Sequence, residues 1–153
     1  MDFSRLAYIK NINDDTDWAY KEYPVGAYFP LNFKRNDGVE AHALNLPKGK
    51  LVILSQNPPT RNERCLTHVV EICNEANEDK PQWDSGPWGI VRWVKVSWVT
   101  DFRDPDKIPV DKYVMQAEWG WFDTKAKSLE SPNLMKKWNS IDNLRTHLQK
   151  IFV

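Results

Sequence analysis

The stretch Ile90-Val-Arg-Trp-Val-Lys-Val-Ser-Trp-Val99 decides the fold. It alternates, setting Ile90, Val94, Val96 and Trp98 on one face and Val91, Trp93, Lys95, Ser97 and Val99 on the other, which is the period of a β-strand with one face in a core. Residues 66–73 alternate in the same way, with Leu66, His68, Val70 and Ile72 opposite Thr67, Val69, Glu71 and Cys73. Leu51-Val-Ile-Leu54 is an unbroken apolar run between turn formers, which predicts a central strand covered on both faces and paired with 66–73.

Outward from these strands the pattern is mixed. Leu6-Ala-Tyr-Ile9 reads as a first strand, and Asn13, Asp14 and Asp15 offer N-cap side chains for a short helix over 16–23, stopped by Pro24 and Gly26. Residues 27–33 combine rings with Pro30, as an irregular or edge segment would. A short helix is predicted over 40–46, a long polar loop over 74–87 and a further short strand over 112–115. Ser131 and Pro132 read as N-cap and first residue of another helix. In the last helix, capped by Ser140, Ile141, Leu144, Leu148 and Ile151 form one stripe for packing on the sheet, while Arg145 and Lys150 face water. The expectation is one α+β domain over 1–153.

Composition removes several classes of function. At 153 residues the chain can bury a core without metals or disulfides, and no apolar run approaches a membrane span. The first ten residues lack an export signal, so a soluble, cytoplasmic protein is expected. Cys65 and Cys73 sit at opposite ends of one strand, beyond disulfide reach, and are read as reduced thiols. Formal net charge is zero, with a tail from Lys125 that holds six basic and two acidic residues; any hold on a nucleic acid backbone must therefore be local. His42, His68 and His147 fall in different elements without metal-ligand spacing, so no metal is expected, and His68 reads as a core histidine. No phosphate-loop spacing occurs, and Asp14-Asp15 and Asp104/Asp106 occupy capping or turn positions.

The outlier is tryptophan, eight in one domain. Trp98 and Trp138 read as packing residues, Trp18 as half-buried, and Trp93 is open to either role. Trp83 and Trp88 differ, because they flank the polar Asp84-Ser-Gly-Pro87 turn rather than lying in a hydrophobic period. Two indoles at that spacing can wall a slot for a planar group. Trp119 and Trp121, around Gly120, are a second candidate pair.

In order and spacing, several of these segments resemble the PUA-like superfamily, in its YTH and EVE branch of modified-nucleobase readers. They are Tyr8-Ile-Lys10, Asn13-Asp-Asp15 before a segment ending at Tyr23, Leu51-Val-Ile-Leu-Ser-Gln-Asn57, Thr67-His-Val-Val-Glu-Ile72, and Trp83-x4-Trp88 leading into residues 92–101. The resemblance covers residues 5–115. It implies a PUA-like mixed, strongly curved sheet or partial β-barrel with short peripheral helices. It also implies a non-catalytic module that holds a modified, for example methylated, nucleobase of DNA or RNA between rings. Trp83 and Trp88 would be the walls, Tyr28, Phe29 and Asn32 the floor or edge, and Lys34, Arg35, Arg61 and Arg64 the phosphate contacts. No cofactor is implied, and the partner is modified DNA or RNA, with an effector such as a nuclease alongside. One departure is Gly26, which stands where YTH readers carry a cage tryptophan; Val25-Gly-Ala-Tyr-Phe-Pro-Leu-Asn32 suits EVE geometry equally. Two alternatives stay open. One is an ASCH-like hydrolase of modified nucleosides using Lys10, Glu71 and Thr67, the other a protein-interaction module built on exposed tryptophans.

Overall fold

In the computed structural model, which describes residues 1–59 and 62–153, the apolar run at Leu51 becomes β3 (Leu51–Gln56), with all six residues buried. Around it are β1 (Leu6–Ile12), β2 (Tyr28–Phe33), β4 (Cys65–Ile72), β5 (Ile90–Val99) and β6 (Ala126–Ser128). They form one sheet in the order β2-β5-β4-β3-β1-β6, antiparallel except for the β1–β3 pair. The sheet curls into a half-barrel. Its edge strands β2 and β6 do not pair, yet the chain just beyond them meets: the Lys34 backbone N–H donates to Thr124 Oγ1 at 2.8 Å.

Both faces of the sheet are apolar. On one, Phe29, Leu31 and Phe33 of β2 alternate into a core with Val52, Leu54, Val70, Val94 and the helix α1 (Val39–Leu44). On the other, Leu6, Ile9, Leu51 and Ile53 are covered by α3 (Asp111–Met115), α4 (Pro132–Trp138) and α5 (Ile141–Gln149). The α5 stripe packs on the sheet as its spacing predicts, and Ser140 caps the helix by accepting from the Asn143 N–H at 3.1 Å. Arg145 departs from its expected place in water. Its Nε donates to the Leu6 carbonyl at 2.9 Å, because its long stem lies across the start of β1.

Two β-bulges correct the strand faces. Leu54 pairs with His68 and Ser55 with Leu66, which leaves Thr67 as an extra residue and turns Leu66 to the face opposite Val70 and Ile72. Val69 pairs with Trp98 and Val70 with Val96, so Ser97 is likewise extra. Trp98 consequently leaves the face of Val94 and Val96 and packs on Phe152, ring centroids 4.8 Å apart. Such insertions bend and twist a sheet, as curling requires. His68 is a fully buried core histidine, bonded to Thr67 Oγ1 at 2.8 Å and to the Tyr20 carbonyl at 3.1 Å, and burial pulls its pKa down to about 4.

Other segments also differ from expectation. Residues 16–23 are turns rather than a helix: Asp14 does cap, accepting from the Thr16 and Asp17 N–H groups, but Tyr20 at φ 59° ends the helical path. Residues 112–115 lie in the helix α3 instead of a strand. The loop over 74–87 opens with α2 (Ala76–Asp79), held by a Glu75/Glu78 capping box, and a 3-10 turn over Lys80–Gln82.

A buried ion pair fixes that region. Arg92, on the core face of β5, donates from Nε to Asp79 Oδ2 at 2.9 Å, from Nη1 to the Ala43 and Leu46 carbonyls at 2.7 and 2.8 Å, and from Nη2 to the Asn74 carbonyl at 2.8 Å. Both side chains have no exposed surface. One guanidinium thereby joins α1, α2 and β5 and sets where the tryptophan loop begins. Among the described residues no helix is long and apolar enough to cross a membrane.

Candidate functional site

The turn between Trp83 and β5 is tightly closed. The Asp84 N–H donates to the Gly89 carbonyl at 3.1 Å, the Gly89 N–H to the Gly86 carbonyl at 3.0 Å, and Asp84 Oδ1 accepts from the Gly86 N–H at 2.8 Å. A Cβ on Gly89 would fall 2.2 Å from Asp84 Oδ1 and 2.3 Å from the Asp84 carbonyl oxygen, so only glycine fits. This closure sends the two indoles to different places. Trp83 packs against the core and donates its ring N–H to the Val91 carbonyl at 2.7 Å. Trp88 remains half-buried beside an open cavity, its carbonyl accepting from Asn32 Nδ2 at 3.1 Å.

That cavity, of about 410 Å³, is lined by Lys10 and Ile12 of β1, Asp14 and Tyr20 of the turn, Asn32 of β2 and Trp88. Tyr20 is placed by its left-handed backbone and by stacking on Phe29, centroids 4.2 Å apart and planes at 22°. Its hydroxyl accepts from the Asn32 backbone N–H at 3.1 Å and donates to Asn32 Oδ1 at 3.3 Å. Burial pushes the phenol up to about 12, so that proton stays in place near neutrality. The Asn32 carboxamide is therefore held from both ends, by Tyr20 and by Trp88. It keeps one N–H and one lone pair unspent, since a carboxamide offers two of each.

Lys10 and Ile12 are the buried members of the lining and form the floor. The Lys10 side chain is fully buried, with Nζ donating to the Asn11 carbonyl at 3.1 Å and standing 4.7 Å from the Phe33 ring centroid. Burial pulls its pKa down to about 7, with Asp123 opposing the shift.

Trp88 and Asn32 are thus the expected site residues that meet at one cavity. Lys34 and Arg35 follow β2 outside that lining: the Arg35 N–H donates to the Pro87 carbonyl and its Nη2 to the Asp84 carbonyl, both at 2.7 Å. Phe29 is fully buried between Tyr20 and Tyr23, the latter at 4.8 Å and 21°. Tyr28 is exposed and lines a separate hollow with Trp93 and Lys95. Arg64 belongs elsewhere again, in a cavity of about 560 Å³ with Asp111 and Trp121. Its guanidinium lies 4.6 Å from the Trp121 ring centroid and donates to Asn11 Oδ1. Arg61 lies outside the described residues.

Of the second tryptophan pair, Trp119 is buried, its ring N–H donating to the Asp111 carboxylate, while Trp121 faces the cavity of Arg64. Lys10, Glu71 and Thr67 are not gathered: Glu71 pairs with Arg5 along the Tyr28 hollow, and the Thr67 hydroxyl meets His68. Among the described residues no group of three or more His, Cys, Asp or Glu side chains is placed to hold a metal ion. The residue that sequence reading missed is Tyr20, because nothing in 16–23 signals a left-handed tyrosine.

No family model, no curated protein and no solved structure matches this chain.

Proposed function

We propose that this half-barrel is a non-catalytic reader of a modified nucleobase in DNA or RNA, of the PUA-like kind to which YTH and EVE domains belong. The observation that carries the reading is the Asn32 carboxamide, fixed by Tyr20 and by the Trp88 carbonyl in the lining of a cavity that Trp88 shares. A preset donor and acceptor beside an indole face is what holding a planar heterocycle by edge and face demands. The curled sheet with short peripheral helices accords with that fold, and in this reading Lys34 and Arg35, which follow β2 beside the 84–87 turn, are the residues that would meet backbone phosphates. In this reading Trp88 is the single stacking wall, and Tyr20 rather than Trp83 completes the pocket.

The test is tryptophan fluorescence titrated with a panel of modified and unmodified nucleosides, wild type beside Trp88→Ala. Quenching by a modified nucleoside that disappears in Trp88→Ala supports the reading. Equal quenching in both proteins, or none in either, overturns it.

A further inference from the structure

The hollow that holds Tyr28 combines exposed rings with an excess of positive charge. It measures about 560 Å³ and is lined by Arg5, Tyr28, Lys48, Glu71, Trp93 and Lys95. It lies on the sheet face opposite Val94 and Val96. Over β1, β3 and β4 that face is covered by α3, α4 and α5. Farther out, on β5 and β2, Tyr28 is 55% exposed, and Pro30, Trp93 and Lys95 are half-buried. Tyr28 pairs with Lys95 and Pro30 with Trp93, so the two rings are diagonal neighbours, about 7 Å apart on one strand face. Trp93 is held by donating its ring N–H to Gln82 Oε1 at 2.8 Å, and Lys95 Nζ stands 5.7 Å from the Tyr28 ring centroid. Glu71 is the one carboxylate of the lining against three cations, and it is committed to Arg5 at 2.5 Å. Lys48, exposed on the turn before β3, and Lys95 are left unbalanced.

Rings beside unbalanced cations complement a chain that carries planar groups and negative charge together. We infer that this hollow is a docking surface for single-stranded nucleic acid, with bases resting on Tyr28 and Trp93 and phosphates on Lys48 and Lys95. Stacking and charge are indifferent to sequence, so the surface supplies general affinity rather than choice of base. The inference goes beyond the cavity of Asn32 and Trp88, with which the hollow shares no residue. A protein partner adding a strand to the edge strand β2 is disfavoured by the same segment. Pro30 has no N–H to give, and the Asn32 N–H is already donated to the Tyr20 hydroxyl.

The experiment is fluorescence anisotropy of the full chain with a labelled, unmodified single strand of mixed sequence, titrated at several salt concentrations. Tyr28→Ala, the double variant Lys48→Gln with Lys95→Gln, and Lys137→Gln on the exposed side of α4 are compared with the wild type, each checked for its fold by circular dichroism. Tyr28→Ala is expected to weaken binding about five-fold or more with the salt slope unchanged. The double variant is expected to lower the slope of log affinity against log salt by about one to two, and Lys137→Gln to change neither quantity. No binding by the wild type, binding unchanged in Tyr28→Ala and in the double variant, or equal weakening by Lys137→Gln overturns the inference. Polyglutamate displacing the strand as well as an unlabelled strand does assigns the hollow to an acidic protein and overturns it too. A strand held through Tyr28 and the two lysines, with no preference for any modified base, leaves this inference standing and removes the base-pocket reading. A preference for a modified base with these variants unchanged does the reverse.

Discussion

Asn32 of β2 is joined to Trp88, just before the neighbouring strand β5, the side-chain amide of one donating to the backbone carbonyl of the other at 3.1 Å. The bond ties edge strand β2 to the turn that precedes β5. It makes the geometry of the cavity depend on a contact between residues far apart in sequence. In the proposed reading the amide would meet an incoming edge and the indole its face, and the contact fixes that amide against the Trp88 backbone.

The two loop tryptophans should separate in stability. Trp83→Ala removes an indole packed on the core and orphans the Val91 carbonyl, so it is expected to cost about 3 kcal/mol or more. Trp88→Ala removes a half-buried ring whose backbone carbonyl remains to accept from Asn32, with an expected cost of about 1 kcal/mol. Chemical denaturation of the two variants checks this; equal destabilisation would contradict the placement.

Asp79→Ala should be among the most destabilising single changes, by about 3 to 5 kcal/mol, because it leaves the Arg92 guanidinium buried and uncompensated. The double variant Asp79→Leu with Arg92→Met is expected to recover part of that stability. Thermal melting of the single and double variants decides it. A mild Asp79→Ala phenotype would mean that the carbonyls of Ala43, Leu46 and Asn74 suffice to hold the guanidinium.

Lys10 gives stability a distinctive dependence on pH. Burial lowers its folded pKa to about 7 from the ordinary 10.5, so between those values the unfolded chain binds a proton that the folded one does not. Stability from this group therefore rises with pH across that window, and below about pH 7 the full penalty of burying the ammonium remains. Lys10→Met is expected to be more stable than wild type by several kcal/mol near neutrality, with the gain shrinking toward about pH 10. A difference independent of pH would show that the ammonium is solvated in the folded protein.

Lys34 and Arg35 should govern salt dependence rather than choice of base. Lys34→Gln and Arg35→Gln are each expected to weaken oligonucleotide binding uniformly across sequences. Taking one cationic side chain away from a phosphate should lower the slope of log affinity against log salt by about one. Arg64→Gln, in a different cavity, should leave that slope unchanged. The check is a salt titration of each variant.

The parts of the fold that were legible are those where side-chain period alone decides: the apolar run of β3, the ten-residue strand β5 and the α5 stripe. The parts that were not depend on geometry without a composition. Thr67 and Ser97 are ordinary strand residues that become bulges through pairing, and they carry Leu66 and Trp98 to unexpected faces. Parity puts Arg92 on the core face, but its partner Asp79 sits in a stretch that reads as polar loop. The 112–115 segment is apolar enough for a strand and too short for periodicity to separate strand from helix. At the site, Trp88 was visible beside a turn signal, while Asn32 entered only through the resemblance to EVE domains. Tyr20 was hidden by its left-handed backbone, and the burial of Phe29 and Trp83 is a matter of tertiary packing.

The most direct measurement of the central claim is equilibrium binding to short single strands identical but for one modified or unmodified base, by fluorescence anisotropy, with wild type, Asn32→Ala and Trp88→Ala side by side. The predicted result is a preference of about ten-fold or more for one modified strand in the wild type, erased in both variants while they remain folded. Equal affinity for every strand, or a preference that survives in Trp88→Ala, would contradict it.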